Sequence, residues 1–382
     1  MTQRNGLLVI TELFLPTKGG TAVWFDEVYR RLGGREIHIV TAEVPGSREH
    51  DRAHPNTVHR LRLQRHWWLR PESLAMYAKF LAASLGIALR HPVAAVHAGR
   101  VLPEGLVGWL VARLIRRPLV IYAHGEEITT WRQPAKFRAM RFTYRHADAV
   151  IANSEFTRRE LLAIGVPGER IVRISPGVDT ARFRPGLPTE DLFRRLNLAP
   201  DTPLILSVGR LSRRKGFDQV IRALPEVLAR FPRTHYAVVG IGEDEEYLAS
   251  LARECGVADR VHFLGHVPME ELPRWYNACR VFAMPNRAID GDNEGFGMVF
   301  LEAAACGRPS LAGRDGGTGD AVIEGVTGLR VDGGSVAAVA DGLCRLLARE
   351  GGLAPEVLAS LRRRCDWAAV AEETRRRLPW AF

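Results

Sequence analysis

Lysine is scarce. Only four occur in 382 residues, at Lys18, Lys79, Lys136 and Lys215, so arginine carries almost all the positive charge of a chain whose formal net charge is +10. An excess of that size attracts nucleotide phosphates, nucleic acid or an acidic lipid surface, and does not separate them. Cysteine is scarce too. Cys255, Cys279, Cys306, Cys344 and Cys365 follow no metal-ligand spacing, and an odd, scattered set argues against a disulfide scaffold and fits reduced thiols in a cytosol. No run reaches the roughly 18 apolar residues that a membrane span requires. The longest candidate, Phe80 to Leu89, is interrupted by Ser84 and Gly86. No long apolar core precedes a cleavage site near the start, so no secretory leader is expected and the expected location is cytoplasmic. Short repeats and low-complexity segments are missing as well. What remains is an ordinary globular composition, 46% apolar and 25% charged, long enough for two domains.

The chain opens with the apolar, β-branched run Leu7 to Thr11, a turn at Pro16 to Gly20, and a helical pattern from Thr21 to Leu32. Further strands are expected at Ile37 to Thr41, Ala94 to His97, Leu119 to Ala123 and Ala149 to Ala152, with helical patterns between them. Strands alternating with helices build parallel sheets from βαβ units. Pro176, Gly177, Pro185, Gly186 and Pro188 then cluster as a linker. LILSVGRL, Leu204 to Leu211, repeats the opening logic, with a basic turn ending at Lys215-Gly216 before a helix. Strands follow at Tyr236 to Val239, Val261 to Leu264, Val281 to Met284 and Pro309 to Ala312. The expected fold class is α/β, with two Rossmann-like domains facing across a cleft, residues 1–180 and 181–366.

Two stretches carry chemistry. In GRLSRRKG, Arg210 and Lys215 follow a buried strand and stand between Gly209 and Gly216. Ligands bind at strand ends of open α/β sheets. A pyrophosphate there needs positive charge without bulk, each charge-assisted bond contributing about 1.5–3 kcal/mol. In DGDNEGFGMVFLEAAACGRP, Glu294 and Glu302 lie eight residues apart around a Phe-Gly turn. FLEAAAC is a good helix former, stopped by Gly307 and Pro309. Gly295 and Gly297 admit close approach to its N-terminus, which suits an anion. Glu294 precedes this helix and Glu302 lies inside it, so they share no face at about 100° per residue. Paired glycosidase carboxylates flank one bond at about 5 or 6.5–9.5 Å. The spacing here favours two separate hydroxyl-binding tasks, Glu294 on a sugar and Glu302 on a ribose diol.

Other features have competing readings. Asp290-Gly291-Asp292 has the pattern of a metal-holding Asp-x-Asp, yet Arg210 and Lys215 already supply charge for a diphosphate, so a solvated loop and no metal are expected. VVGIGEDEE begins like a dinucleotide fingerprint, but Glu245 stands where the third glycine belongs. His124 closes the strand Leu119 to Ala123 as a structural cap or as a hydrogen-bonding site residue rather than a proton shuttle. RLRLQRHWWLRP combines Arg60, Arg62, Arg65 and Arg70 with Trp67 and Trp68. It reads either as a domain edge with buried tryptophans or as a dock for an anionic membrane. It also suits base stacking, but no nucleic-acid motif accompanies it, so no nucleic-acid partner is expected.

In order and approximate spacing, PTKGG (Pro16 to Gly20), AHGEE (Ala123 to Glu127), NSEFT (Asn153 to Thr157), SPGVD (Ser175 to Asp179), GRLSRRKG, the segment His262 to Pro285, and EGFGMVFLEAAACGRP resemble the retaining family 4 glycosyltransferases of GT-B fold, phosphatidylinositol mannosyltransferases among them. The likeness covers most of the chain. It departs after Gly316-Gly317, where Thr318, Gly319 and Asp320 replace the family's usual Ala-Pro-Glu, and in SPGVD, which lacks a common asparagine.

The resemblance implies a hexosyl transfer from a nucleoside diphosphate sugar, GDP-mannose or a UDP-sugar, to a saccharide or lipid-linked acceptor, with no cofactor and no metal. It implies that Arg210 and Lys215, beside Gly209, hold the diphosphate, and that Glu294 binds the sugar and Glu302 the ribose. Backbone of Phe296, Gly297, Met298 and Val299 would reach sugar and phosphate. Gly19 and Gly20 would close on the diphosphate, and backbone near His266 and Val267 would meet the base. His124 would stand beside donor and acceptor, with Asn153 and Ser154 bordering the acceptor, and residues 367–382 would form a helix crossing back to the first domain. A lipid-linked acceptor would bring the protein to the inner face of the membrane. A sugar-nucleotide epimerase or hydrolase, or a non-catalytic sugar-nucleotide module, would share the same diphosphate cradle.

Overall fold

Strands covered on both faces are predominantly apolar, and the runs Gly6–Ile10 and Leu119–Ala123 are of this kind. The computed structural model describes residues 6–64, 73–378 and 380. It divides into two compact units, residues 1–176 with 367–382, and residues 177–366. In the first unit β1 (Gly6–Ile10), β2 (Ile37–Ala42), β3 (Thr57–Leu61), β4 (Val93–Ala98), β5 (Leu119–Ala123), β6 (Ala149–Ala152) and β7 (Ile171–Arg173) form one sheet in the order β3-β2-β1-β4-β5-β6-β7. Every pairing is parallel, with Leu8 opposite His38 on one side and Val96 on the other. The second unit repeats the plan. β8 (Leu204–Val208), β9 (His235–Val239), β10 (Val261–Gly265), β11 (Val281–Met284), β12 (Ser310–Gly313) and β13 (Gly328–Val331) run β10-β9-β8-β11-β12-β13, again all parallel. Strand order reverses between β1 and β4 and between β8 and β11. Such a reversal opens a crevice beyond the carboxyl ends of the two strands.

The strands expected from the sequence lie within one residue of these bounds, except that β8 stops at Val208, before the glycine turn. β3, β7 and β13 were not anticipated, and all three are edge strands. An edge strand is half exposed, so TVHRL carries His59 and Arg60 among its apolar residues and never reads as a buried run.

The segment entering the second unit is tied to the one leaving it. The Val178 N–H donates to the Cys365 carbonyl at 2.8 Å, and the Thr180 hydroxyl donates to the Asp366 carboxylate at 2.6 Å. The helix Trp367–Arg377 then packs within the first unit on the helix Gly20–Leu32, burying Trp367, Val370 and Ala371, and Arg375 donates to the Leu32 carbonyl at 2.8 Å. Among the described residues no helix is long and apolar enough to cross a membrane.

Candidate functional site

The chain leaves β8 through Gly209, at φ 153°, and reaches a single tight turn at Arg213–Lys215. Gly216 ends that turn at φ 76°, and a Cβ there would fall 2.1 Å from the Pro285 carbonyl oxygen. The loops after β8 and β11 therefore press together at the strand-order reversal. Arg287 reinforces the contact by donating twice to the Asp218 carboxylate, at 3.0 and 2.8 Å. The Lys215 ammonium is brought onto the Glu294 carboxylate, and Arg214 Nη1 lies 3.0 Å from the same carboxylate oxygen. Arg214 Nε reaches Asp292 at 3.0 Å. The Glu294 backbone is pinned from below, because the Gly317 N–H donates to its carbonyl at 2.7 Å. Burial pushes the Glu294 carboxyl up, but Lys215 and Arg214 outweigh it and hold the group below its ordinary value.

The helix Met298–Ala305 starts beside this cluster. Gly297 caps it at φ 88° with no side-chain hydrogen bond, leaving the first-turn N–H groups to meet an anion. Phe296 is buried. Glu302 sits further along the helix, where the Tyr276 hydroxyl donates to it at 2.7 Å. Burial raises the Glu302 carboxyl and the Tyr276 hydrogen bond offsets that only in part. The two glutamates thus occupy opposite electrostatic settings, one ion-paired and depressed, the other hydrogen-bonded and raised.

Arg210 is placed differently from Lys215. It is largely exposed and pairs with Glu243 at 3.1 Å, outside the Glu294 cluster. Arg214, which sequence reasoning passed over, occupies the inner position. Its only signal is adjacency to Lys215 inside a run of cations, a pattern that ordinarily marks a solvated turn. The fingerprint-like glycines have a packing origin. A Cβ on Gly240 would fall 1.8 Å from the Gly209 carbonyl oxygen, and one on Gly242 would fall 2.4 Å from that of Leu211. They let two backbones cross. Val267 is buried beyond β10. Among the described residues no group of three or more His, Cys, Asp and Glu side chains is arranged to hold a metal.

In the first unit, His124 follows β5 and is buried. Its Nε2 lies 2.8 Å from the Gly99 carbonyl oxygen, so Nε2 carries the proton and donates. Its backbone N–H donates to Glu127 at 3.0 Å, and Tyr144 donates to the same carboxylate oxygen at 2.5 Å. Trp24 and Phe25 meet the ring edge to face, at 6.0 and 6.2 Å between centroids. Burial pushes the imidazole down from its ordinary value. Neutral, and protonated on Nε2, the ring offers Nδ1 only as an acceptor. The expected ¹⁵N spectrum is a single neutral tautomer persisting below the ordinary histidine pKa; a doubly protonated ring at about pH 6 would contradict it. Gly19 stands in open space at φ 131°, and Gly20 begins an uncapped helix.

Three of the expected site and surface residues are engaged internally. Asn153 and Ser154 are buried. Asn153 donates to the His124 carbonyl at 3.0 Å and accepts from Thr157 at 2.6 Å, while Ser154 caps the helix Glu155–Ala163. Both side chains are turned inward, one to a loop staple and the other to an N-cap. Arg60 is likewise spent internally. It pairs with Asp51 at 2.7 Å and donates to the carbonyls of Leu15 and Ala42 at 2.5 and 3.0 Å, so it is not a free cation for a lipid surface. Arg62 is exposed and pairs with Glu43; Arg65, Trp67, Trp68 and Arg70 lie outside the described residues.

Two parallel sheets, each with an order reversal, and a cluster of cations at one of them define a two-domain α/β protein with a site for an anionic, hydroxyl-bearing ligand. Comparison with known proteins narrows this. A family model described as glycosyl transferases group 1 matches residues 188–367, and one described as glycosyltransferase family 4 matches residues 18–182. The GDP-mannose-dependent alpha-(1-6)-phosphatidylinositol monomannoside mannosyltransferase of Mycolicibacterium smegmatis is 34% identical over 346 residues, 90% of this chain and 89% of that one. The D-inositol 3-phosphate glycosyltransferase of Acidothermus cellulolyticus is 38% identical over 211 residues, 53% of this chain and 46% of that one. In fold, Anabaena Alr3699/HepE in complex with UDP superimposes with a TM-score of 0.81 over 98% of this chain and 99% of that one, at 22% identity. The chain belongs to the group 1 glycosyltransferases, with the two Rossmann-like domains of the GT-B fold.

Proposed function

We propose that the protein transfers a mannosyl group from GDP-mannose to a hydroxyl of a saccharide or lipid-linked glycan, with retention of configuration and without a metal. The observation that carries this reading is the Lys215–Arg214–Glu294 cluster beside the uncapped start of Met298–Ala305. In the ligand-free arrangement Glu294 pairs with both cations, and Asp292 shares Arg214. A diphosphate arriving at the helix end takes over Lys215 and Arg214, with Arg210 closing from outside. Glu294 is then released to accept hydrogen bonds from sugar hydroxyls. Glu302, held by Tyr276, serves the ribose diol, and Nδ1 of His124 accepts from a substrate hydroxyl.

The C1–O bond to the diphosphate breaks with its electron pair staying on the diphosphate. The fixed cations and helix N–H groups stabilise the charge that develops there. The acceptor oxygen bonds C1 on the same face and passes its proton to a diphosphate oxygen, so no second carboxylate is required beside Glu294. Catalysis rests on positioning and on charge. The charge that a divalent cation would supply comes from side chains, and Asp292 is already neutralised by Arg214. GDP-mannose is preferred because the mannosyltransferase of Mycolicibacterium smegmatis is named for it and aligns along most of this chain.

The test is a thermal-shift screen against GDP, UDP and ADP, followed by turnover of the matching sugar nucleotide in EDTA. GDP is expected to raise the midpoint most, and the product is expected at full rate with the donor's anomeric configuration. Strict dependence on Mg²⁺ or Mn²⁺, or an inverted anomer, would overturn the mechanism.

A further inference from the structure

His124 and Asn153 are each the first residue beyond a strand. β5 ends at Ala123 and β6 at Ala152, and the two are paired with Ala123 opposite Ala152. The register therefore sets His124 beside Asn153 at the carboxyl edge of the sheet. Asn153 serves both carbonyls at the exit of β5. Its backbone N–H donates to the Ala123 carbonyl at 3.4 Å, and its side-chain amide donates to the His124 carbonyl at 3.0 Å. The amide oxygen accepts from the Thr157 hydroxyl at 2.6 Å. The position needs a side chain that donates at one end and accepts at the other, as an amide does.

His124 is held at two further points. Its N–H donates to Glu127 at 3.0 Å, and the Tyr144 hydroxyl donates to the same carboxylate oxygen at 2.5 Å. Its Nε2 donates to the Gly99 carbonyl at 2.8 Å. Gly99 cannot follow a moving ring. Its own N–H donates to the Ile10 carbonyl at 2.8 Å, and a Cβ there would fall 2.5 Å from the Thr11 hydroxyl oxygen. Gly125, next in the chain, sits at φ 99°, where a Cβ would fall 2.6 Å from the Thr157 hydroxyl oxygen. The turn after His124 is thus pressed onto the helix that Ser154 caps. Peptide N–H, peptide carbonyl and Nε2 are fixed from three different places: the helix Glu126–Thr130, the exit of β6 and the exit of β4.

We infer that Asn153 and Glu127 are positioning residues for the transfer: both act through the His124 backbone, which they hold so that the ring keeps Nε2 on Gly99 and presents Nδ1 to the substrate. The inference rests on the reading of His124 as a group that accepts from a substrate hydroxyl. Asn153 and Glu127 are both buried, so each reaches the chemistry through a neighbour. A buried carbonyl or N–H that loses its partner draws the peptide toward another one. The ring moves with its peptide, and Gly99 stays behind. Loss of the Nε2 bond then frees the proton to sit on either nitrogen, and a ring protonated on Nδ1 no longer accepts there.

The test measures turnover and the His124 ring together, on the full chain. Asn153→Asp keeps the side-chain shape and the Thr157 bond but turns an acceptor onto the His124 carbonyl. It is expected to lower kcat about 100-fold. The KM for the sugar nucleotide and the thermal shift by GDP should be unchanged, because the Lys215–Arg214–Glu294 cluster lies in the second unit. In ¹⁵N spectra at about pH 7 the single Nε2–H tautomer should give way to both neutral tautomers. Added to His124→Ala, Asn153→Asp should cost less than about twofold more, since its effect runs through a ring that is already gone. Glu127→Ala should lose turnover as Asn153→Asp does, and Glu127→Gln should retain it, because one amide oxygen accepts both bonds. That pair decides the matter if Asn153→Asp does not fold. Near-normal kcat in Asn153→Asp or Glu127→Ala, independent losses in the double variant, or lost turnover with the tautomer unchanged each overturns the inference. Normal turnover by His124→Ala sinks the reading of His124 on which the inference rests. It is told apart from failure of the inference alone, in which His124→Ala is impaired and Asn153→Asp is not.

Discussion

Lys215→Ala is expected to lower turnover about 100- to 1000-fold, the usual cost of removing one donor to a charge that develops in the transition state. The lysine sits at the strand-order reversal, held by the turn that Gly216 closes against Pro285, and its ammonium touches Glu294. Two effects combine in the variant. The leaving diphosphate loses a fixed cation, and Glu294 retains only Arg214 at 3.0 Å. Far-ultraviolet circular dichroism should be unchanged, because Arg214 still satisfies the carboxylate.

The same pair has a signature in stability against pH. The Glu294 carboxyl is held below its ordinary value, so it contributes stability that is present above the unfolded-state pKa and is lost as pH falls through the folded one. Removing Lys215 lets the folded value rise. The variant should therefore be less stable than the wild type at about pH 7, by about 1–3 kcal/mol in urea unfolding. The gap should shrink as pH falls below the ordinary carboxylate range and through the lowered folded value of the wild type, where the carboxyl becomes protonated in both. Near-normal kcat, or a stability gap that persists unchanged into acid, would count against placing Lys215 at the diphosphate.

How much of this was visible in the sequence follows from what each residue touches. β1 and β8 were legible because strands buried on both faces are predominantly apolar, as GLLVI and LILSV are, with Ser207 the one polar side chain between them. β3 was not, since one exposed face admits His59 and Arg60. The glutamates were legible as a separated pair because helix periodicity alone keeps Glu294 and Glu302 off one face. Their opposite electrostatic settings were not, because those come from Arg214 and Tyr276, which lie 80 and 26 residues away in the chain. Polar type does not reveal direction. Asn153, Ser154 and Arg60 all suit a ligand, and all turn inward to backbone groups that would otherwise be unpaired. Gly240 and Gly242 suit a pyrophosphate turn equally well, and only the crossing backbone of Gly209 and Leu211 shows why they are glycine.

Gly316→Ala should be nearly as damaging as the loss of Lys215, though Gly316 carries no chemistry. The residue sits at φ 75°, and its added Cβ would fall 2.2 Å from the Glu294 carbonyl oxygen. That neighbour is backbone, pinned by the Gly317 N–H at 2.7 Å, so no flexible side chain can give way. Either the 316–317 turn or the Glu294 backbone must shift, and a shift of the second kind carries the carboxylate off Lys215 and Arg214. Left-handed backbone strain at a non-glycine residue adds about 1–3 kcal/mol. A midpoint drop of about 5–10 °C is expected from that strain and the clash together, with turnover falling by about two orders of magnitude, since small misplacements of positioning groups cost that much.

Gly19→Ala supplies the contrast. Its φ of 131° is strained for alanine, but nothing lies within 4 Å of the added Cβ, so it should lose stability through strain alone. Recovery of wild-type midpoint and turnover in Gly316→Ala would show that the Glu294 loop is free to relax, and that the carboxylate is not positioned by the turn beneath it.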